Sequence, residues 1–390
     1  MEAYVGVDWS ATQVVCATAV GESRVRGIQG ASPTLENVRD LIRRVRDRHP
    51  EATEVVVIVE DGAPVWANLF HAAGARVYVV DPKQARKFSD SLCSSGAKDD
   101  KRDCVTLAEL GRSPAHRPAQ FRPDEPIVAQ LHVLGAADCE ASREFVRCQQ
   151  QLRAVLRQYM PVVDQALKDV TSRWVIKFLR TFPTPAHFRG LDRVTFEEVL
   201  RGSGAHRVSR DVLWAAIEQT QAPWLDSATA DIYSARIGGL LDRVELMSTQ
   251  VTRIAELLND TTAQFEGRAL LESVDGIGPK LAAALLQYGF GSEVDHRDQA
   301  GIRMGACPVF KGSGTTTRGV AKGHASMRRA AHPRARRATY LIGRLAQQRL
   351  RWAAAMYAHG RAHGQNAATA YRRIARSLLR ILTAMLRARH

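Results

Sequence analysis

Apolar and polar positions change rhythm twice along this chain. From residue 4 to residue 80 short apolar runs predominate: Tyr4 to Val7, Gln13 to Val20, Arg24 to Ile28, Val55 to Val59 and Arg76 to Val80, each ended by a turn or an acid. Runs of this length read as strands, the first three as a meander and Glu54 to Val59 as a buried strand. Asn37 to Arg48 and Pro64 to Ala73 carry helical spacing between them. Three strands in a meander, followed by helix–strand–helix–strand, predict an RNase-H-like α/β fold with a mixed sheet. Asp8 then lies on the central first strand, and Glu60 ends a neighbouring one.

A connector carrying Pro114, Pro118, Pro123 and Pro126 closes this part. Beyond it, Leu131, Leu134, Ala141, Phe145, Cys148, Leu152, Val155, Tyr159 and Val162 keep a three–four spacing, with Asp138 at one missed position. Ile237, Leu240, Val244, Met247, Val251, Ile254 and Leu258 keep it without a break. Such seams predict two long helices that pair within the chain or between protomers; core faces of an ordinary helical domain give the same pattern. Residues 170 to 230 read as irregular and mostly helical. The last part holds a Gly-Ile-Gly turn entering a helix over Lys280 to Gln287, a Gly- and Thr-rich stretch from Lys311 to Gly319, and helices over Pro333 to His359 and Asn366 to Arg389. The expected organisation is 1–125 as the α/β domain, 126–265 as a helical, coiled-coil region and 266–390 as a mainly α C-terminal domain.

Charge changes the picture. The net charge is +15, yet Gly301 to His390 contains 19 Lys and Arg and no acid, which leaves −4 for the first 300 residues. Mixed signs are the norm on a solvated surface, so this segregation points to a polyanionic partner, and nucleic acid is favoured over an anionic membrane. Gly276, Gly278 and Lys280 of the Gly-Ile-Gly turn, and Lys311, Arg318, Lys322, Arg328, Arg336, Arg337, Arg372 and Arg373, are the candidate contacts. The six cysteines include no Cys-x-x-Cys pair, so neither a zinc ribbon nor a disulfide framework is indicated. With no signal-like start and no apolar stretch of transmembrane length, the expectation is a cytoplasmic protein with no membrane association.

The chemistry concentrates in acids. Asp100 and Asp103, in Lys98-Asp99-Asp100-Lys101-Arg102-Asp103, are three apart and share a helix face. Together with Asp8 and Glu60 they form a set of hard oxygen ligands suited to Mg²⁺, with Mn²⁺ as the alternative, and two such ions about 4 Å apart clamp a phosphodiester during displacement. Asp61 and Asp99 are adjacent decoys: a strand-end position favours Glu60, and the three-residue spacing favours Asp100.

In this order Gly6-Val7-Asp8-Trp9-Ser10, a strand-final Glu60 and Lys98 to Asp103 resemble the DEDD transposases of the insertion-sequence one-ten family. The C-terminal part is similar to that family's second domain in Asp275-Gly276-Ile277-Gly278-Pro279, Gly305-Ala306-Cys307-Pro308, Lys311-Gly312-Ser313-Gly314 and Gly323-His324-Ala325-Ser326-Met327-Arg328. Cys104 stands where the family usually has Ala, and Asp275 where Pro is common, which weakens the phosphate reading of that turn. The resemblance implies a RuvC-like nuclease domain, a coiled-coil region and a C-terminal domain with a nucleophilic serine, which by motif match is Ser313; Ser326 and Thr315 to Thr317 are neighbouring hydroxyls that spacing does not exclude. It implies DNA strand cleavage and rejoining through a covalent phosphoserine link. It further implies donor and target DNA, a guide (bridge) RNA, and a dimer or tetramer whose protomers share sites. Two other readings use the same residues: a RuvC-like junction endonuclease with a metal-activated water, and a non-catalytic nucleic-acid-binding protein. An actin-like kinase fold is disfavoured, because Trp9-Ser10-Ala11 follows Asp8 where a Gly/Thr-rich phosphate loop is required.

Overall fold

The computed structural model describes the chain except residues 63, 93–99, 119, 221–224, 292–293, 295, 316–320, 328–330 and 389–390, and gives backbone alone at 100, 310–315 and 321–327. The chain divides into two compact units, Met1–Pro123 and Asp124–His390.

The first unit is a five-stranded mixed sheet with helices on both faces. In chain order its elements are β1 (Glu2–Trp9), β2 (Val14–Val20), β3 (Arg26–Ile28), α1 (Leu35–Arg48), β4 (Glu54–Glu60), α2 (Pro64–Ala72), β5 (Arg76–Val80), α3 (Pro82–Leu92) and α4 (Asp100–Arg112). The sheet order is β3-β2-β1-β4-β5, with β1 central, antiparallel to β2 and parallel to β4. Strand β4 explains the layering. Val55, Val57 and Val59 enter the core that holds Val38, Leu41, Ile42 and Val45 of α1. Val56 and Ile58 point the other way, toward Leu107 and Leu110 of α4. A period of two thus buries a continuous apolar run on both faces.

Glycine brings the second face close. A Cβ on Gly6 would lie 1.9 Å from the Cys104 carbonyl oxygen, and one on Gly111 would lie 2.1 Å from Ile58 Cδ1. Helix α4 therefore rests on the backbone of β1 and on β4 because these two positions lack side chains.

Among the described residues the second unit is helical apart from one hairpin. Its long helices are α5 (Pro126–Tyr159) and α10 (Ser227–Ala263). They run antiparallel: Tyr159 packs on Tyr233 with ring centroids 4.3 Å apart, and Arg243 reaches Glu144 at 2.7 Å. The two seams pair within the chain. Asp138, the missed position, receives Lys280 Nζ at 2.6 Å. The first seam extends by pattern to Val162, but α5 ends at Tyr159 and Pro161 opens a new helix, since proline lacks the N–H to continue the old one.

Between the long helices lie α6 (Pro161–Ala166), α7 (Arg173–Thr181), α8 (Arg193–Leu200) and α9 (Arg207–Gln219), which share a core with one end of the pair. Residues 170–230 read as irregular and mostly helical, and the described ones before α10 hold short helices; Asp192 and Asp226 cap α8 and α10 by accepting the Thr195 and Thr229 N–H. A second core joins the other end of the pair to α11 (Arg268–Glu272), α12 (Pro279–Leu285), α13 (Gln299–Arg303), α14 (Pro333–Arg349), α15 (Arg351–Ala362) and α16 (Ala367–Arg387). The helix expected over Pro333 to His359 is two, broken at Leu350, whose extended backbone (φ −112°, ψ 123°) separates α14 from α15. The hairpin, β6 (Pro308–Thr315) with β7 (Ala321–Met327), precedes α14.

Candidate active site

Asp8 sits near the carboxyl end of the central strand, opposite Val15 of β2. The parallel ladder to β4 runs up to Val7–Val59, so the next step outward reaches Asp8 and Glu60 on adjacent strands. Asp61 is used differently: its Oδ1 accepts the Gly62 N–H at 2.8 Å, in a turn where Gly62 has φ +107°. Asp61 thus takes part in the turn that follows β4.

Asp100 and Asp103 both lie on α4, Asp100 as its first residue. Their carriage to β1 follows from Gly6, because the tight approach falls at Cys104, the residue after Asp103. Cys104 reports the surroundings. Burial pushes its thiol up to about 11, and the carboxylates of Asp8 and Asp103 push it the same way. Cys16, on β2, is likewise raised by burial, with Cys104 and Asp8 adding to the effect. Both thiols stay protonated at neutral pH and are inert packing groups between acids. Trp66 Nε1 donates to the Ser10 carbonyl at 3.1 Å and fixes the loop that leaves β1 after Asp8.

The donor set is entirely carboxylate on rigid elements, which fits a hard divalent cation. Among the described residues no group of three or more His, Cys, Asp or Glu is arranged to hold a metal, and the Asp100 side chain lies outside them. Asp99 lies outside the described residues as well.

Ser313 lies on β6, and the ladder is irregular there. Gly312 pairs with Gly323, the next pair is Thr315 with Ala321, and the register shifts between Gly312 and Thr315. An irregularity of this kind re-aims side chains at the edges of sites. The side chains of Lys311, Ser313 and Lys322 are outside the described set, as are Arg318 and Arg328 altogether.

Other candidate contacts have visible occupations. Lys280 is paired with Asp138. Gly276 has φ +97°, and a Cβ there would lie 3.3 Å from Leu345 Cβ, so the turn is packed on α14. Asp275 lies 3.9 Å from Arg349. Arg337 and Arg373 are exposed; Arg336 and Arg372 are half-buried, and Arg372 Nε donates to the Ala368 carbonyl. Asp298, at the foot of the hairpin, accepts Arg376 and Arg380 at 3.0 and 2.7 Å, and these guanidiniums hold its carboxyl far below the usual range. Hydrophobic pattern alone does not single out Gly6, Gly111 or Asp298. A glycine inside an apolar strand marks close backbone approach; Asp298 is the last acid before the acid-free segment, a signal in composition alone.

A mixed sheet with acids at the strand ends is compatible with an α/β nuclease-like domain, and comparison with known proteins narrows it. Residues 5–161 match the IS110-type DEDD family model described as a transposase. The chain is 25% identical over 340 residues to the 43.6 kDa protein of insertion element IS110 from Streptomyces coelicolor, covering 85% of this chain and 82% of that one. It is 26% identical over 211 residues to a Sinorhizobium fredii protein named as a transposase, covering 53% and 57%. A mini-circle protein of Streptomyces coelicolor, named as the transposase for IS117, is 23% identical over 271 residues, covering 67% and 66%. Together these matches make the chain similar to IS110-family transposases. Among the described residues no helix is long and apolar enough to cross a membrane.

Proposed function

We propose that the chain is an insertion-sequence recombinase that cuts and rejoins DNA through a covalent phosphoserine at Ser313, directed by a bridge RNA. The observation that carries this reading is the seating of α4 on β1 at Gly6, from which Asp8 and Asp103 both bear on Cys104. Asp8, Glu60, Asp100 and Asp103 would hold Mg²⁺ or Mn²⁺ in a RuvC-like domain. When bound, the metal supplies electrostatic stabilisation of the charge that develops on the phosphate oxygens.

Ser313 Oγ attacks the scissile phosphorus: an Oγ–P bond forms and the P–O bond to the departing deoxyribose breaks. The hydroxyl proton leaves to a carboxylate or water, and the departing oxygen takes a proton to become a free hydroxyl end. Gly312 and Gly314 leave the serine's backbone uncrowded for a phosphate. Strand exchange then joins donor and target DNA through a junction. Base pairing with the RNA selects the sequences, while the acid-free basic segment binds backbone and shape. The assembly is a dimer or tetramer in the cytoplasm, with the serine of one protomer completing the acid site of another.

The test is a denaturing gel of labelled DNA after reaction with guide RNA and Mg²⁺, with peptide mapping of any shifted band. Wild type should give an adduct at Ser313; Ser313→Ala should bind nucleic acid but give neither adduct nor recombinant. An adduct that survives in Ser313→Ala, or maps to Ser326 or Thr315, moves the nucleophile. Recombination or cleavage without any adduct favours a metal-activated water.

A further inference from the structure

We propose that a groove between α5, α12 and α14 takes one unpaired nucleotide, its base on the apolar floor and its phosphate at the arginine mouth. The proposal rests on the nucleic-acid reading above and adds a second, non-catalytic contact to it.

The groove has a volume of about 550 Å³, within the range of small-ligand sites, about 300–1,000 Å³. Leu281 and Ala284 from α12, and Ala338 and Leu341 from α14, form its floor. Four cationic side chains line it, Arg143, Lys280, Arg334 and Arg337, against a single acid, Asp138, which gives 4 − 1 = +3. Because Asp138 is held by Lys280 at 2.6 Å, the three arginines carry the excess. An apolar floor beneath an uncompensated cationic mouth selects a flat apolar group bearing an anion.

Two hydrogen-bonding groups face the groove from an unusual stretch of backbone. Residues Leu286–Phe290 form a π-helical turn continuing α12, a rare conformation that recurs at functional sites. It carries Gln287 and Tyr288, both of which line the groove. Gln287 is 9% exposed and its amide nitrogen lies 3.0 Å from His132 Nδ1. Its carboxamide fits only because position 135 is glycine, where a Cβ would lie 2.7 Å from Gln287 Oε1. The Tyr288 ring is fixed between His332, stacked at 4.9 Å, and His132, edge-on at 5.6 Å. Among the described residues its enclosed hydroxyl has no well-formed hydrogen bond. The nearby Arg334 guanidinium carries donors only, so the phenolic O–H still lacks an acceptor. An enclosed hydroxyl in that position is costly and is relieved by a ligand acceptor. A nucleobase supplies such an edge on a planar face, and unpaired bases are what proteins read on single strands.

The experiment uses the full chain and fluorescent single-stranded oligo(dT) or oligo(U) carrying one 4-thio base, with a DNA duplex of equal length as control. Ala284→Leu fills the floor without altering charge, and Tyr288→Phe removes only the hydroxyl. Single-strand affinity should fall about tenfold in Ala284→Leu and about threefold in Tyr288→Phe, with duplex affinity within about twofold of wild type. Photocrosslinks in wild type should fall on the peptide containing Tyr288 and be lost in Ala284→Leu. If Ala284→Leu fails a thermal-melt check of folding, Tyr288→Phe and the wild-type crosslink decide.

Single-strand affinity unchanged in the folded variants, or crosslinks confined to other peptides, would overturn the proposal. So would variants that change only the sedimentation coefficient, since the groove would then seat a second copy of the chain. The recombinase reading fails separately, by absence of the Ser313 adduct.

Discussion

The two ends of strand β1 set negative charge in different company. At the amino end Glu2 accepts the Tyr4 hydroxyl at 2.6 Å, Arg76 at 2.9 Å and Arg117 at 3.2 Å, and Arg76 also pairs with Glu54. These partners, Tyr4 foremost and then Arg117 and Arg76, hold the Glu2 carboxyl below its ordinary value. At the carboxyl end, the carboxylates felt by Cys104 are Asp8 and Asp103, and both raise its thiol. The amino end ties Glu2 to arginine and tyrosine, so its charge serves stability. The carboxyl end gathers acids from a strand and a helix, the arrangement proposed above to hold a divalent cation. Substitutions at the two ends should therefore fail in different assays.

The largest effect belongs to the acid-rich end. Asp8→Asn or Asp103→Asn should lower Mg²⁺-dependent recombination in vitro by about a hundredfold or more. Circular dichroism and thermal melting should be nearly unchanged, because neither residue is part of a core. Wild-type activity in either variant would remove that residue from the site, and loss of folding would make the two ends alike. Gly6→Ala comes next and reads the same end through packing. Its new methyl would meet the Cys104 carbonyl at 1.9 Å, so α4 must lift from the strand, at a cost of about 3 kcal/mol. Urea unfolding should show the loss, and recombination should fall with it. A stable, fully active Gly6→Ala would show that the acids do not depend on this contact.

Much of that acid-rich end is legible in the amino-acid pattern. Strands buried on both faces read as unbroken apolar runs, so β1 and β4 and their terminal acids Asp8 and Glu60 stand out. The seating of α4 is not legible, because it depends on Gly6 and Gly111 meeting a helix that begins about a hundred residues away from β1 in the chain. In the helical unit the seams are plain, since three–four spacing is local. Asp138 looks like a flaw in its seam, and only the fold supplies its partner, Lys280, 142 positions away. The break at Leu350 carries no Gly or Pro, and the short helices α7 to α9 are ordered by a shared core more than by their own pattern. Around Ser313 the Gly- and Thr-rich stretch reads as a loop, whereas the fold places it on β6; the choice among Ser313, Ser326 and Thr315 is chemical and needs the adduct.

The smallest effects belong to the Glu2 end, and pH separates them from the rest. Because the folded-state carboxyl of Glu2 is lowered from 4.5, its charge stabilises the fold above that value. The contribution is lost as pH falls below about 4.5 and through the lower, folded-state value. Glu2→Gln keeps the shape and removes the charge, so at pH 7 it should cost about 1 kcal/mol, modest because the side chain is partly exposed. The difference from wild type should shrink steadily as unfolding is measured at lower pH. Tyr4→Phe should cost less, about 0.5–1 kcal/mol, because Arg76 and Arg117 remain to hold the carboxylate. Both variants should recombine DNA at the wild-type rate at neutral pH, since neither touches Asp8, Glu60 or α4's acids. A Glu2→Gln chain that folds normally but cannot recombine would collapse the contrast, making the whole length of β1 one electrostatic unit; a pH-independent difference from wild type would mean that Glu2 stabilises the sheet by packing and not by charge.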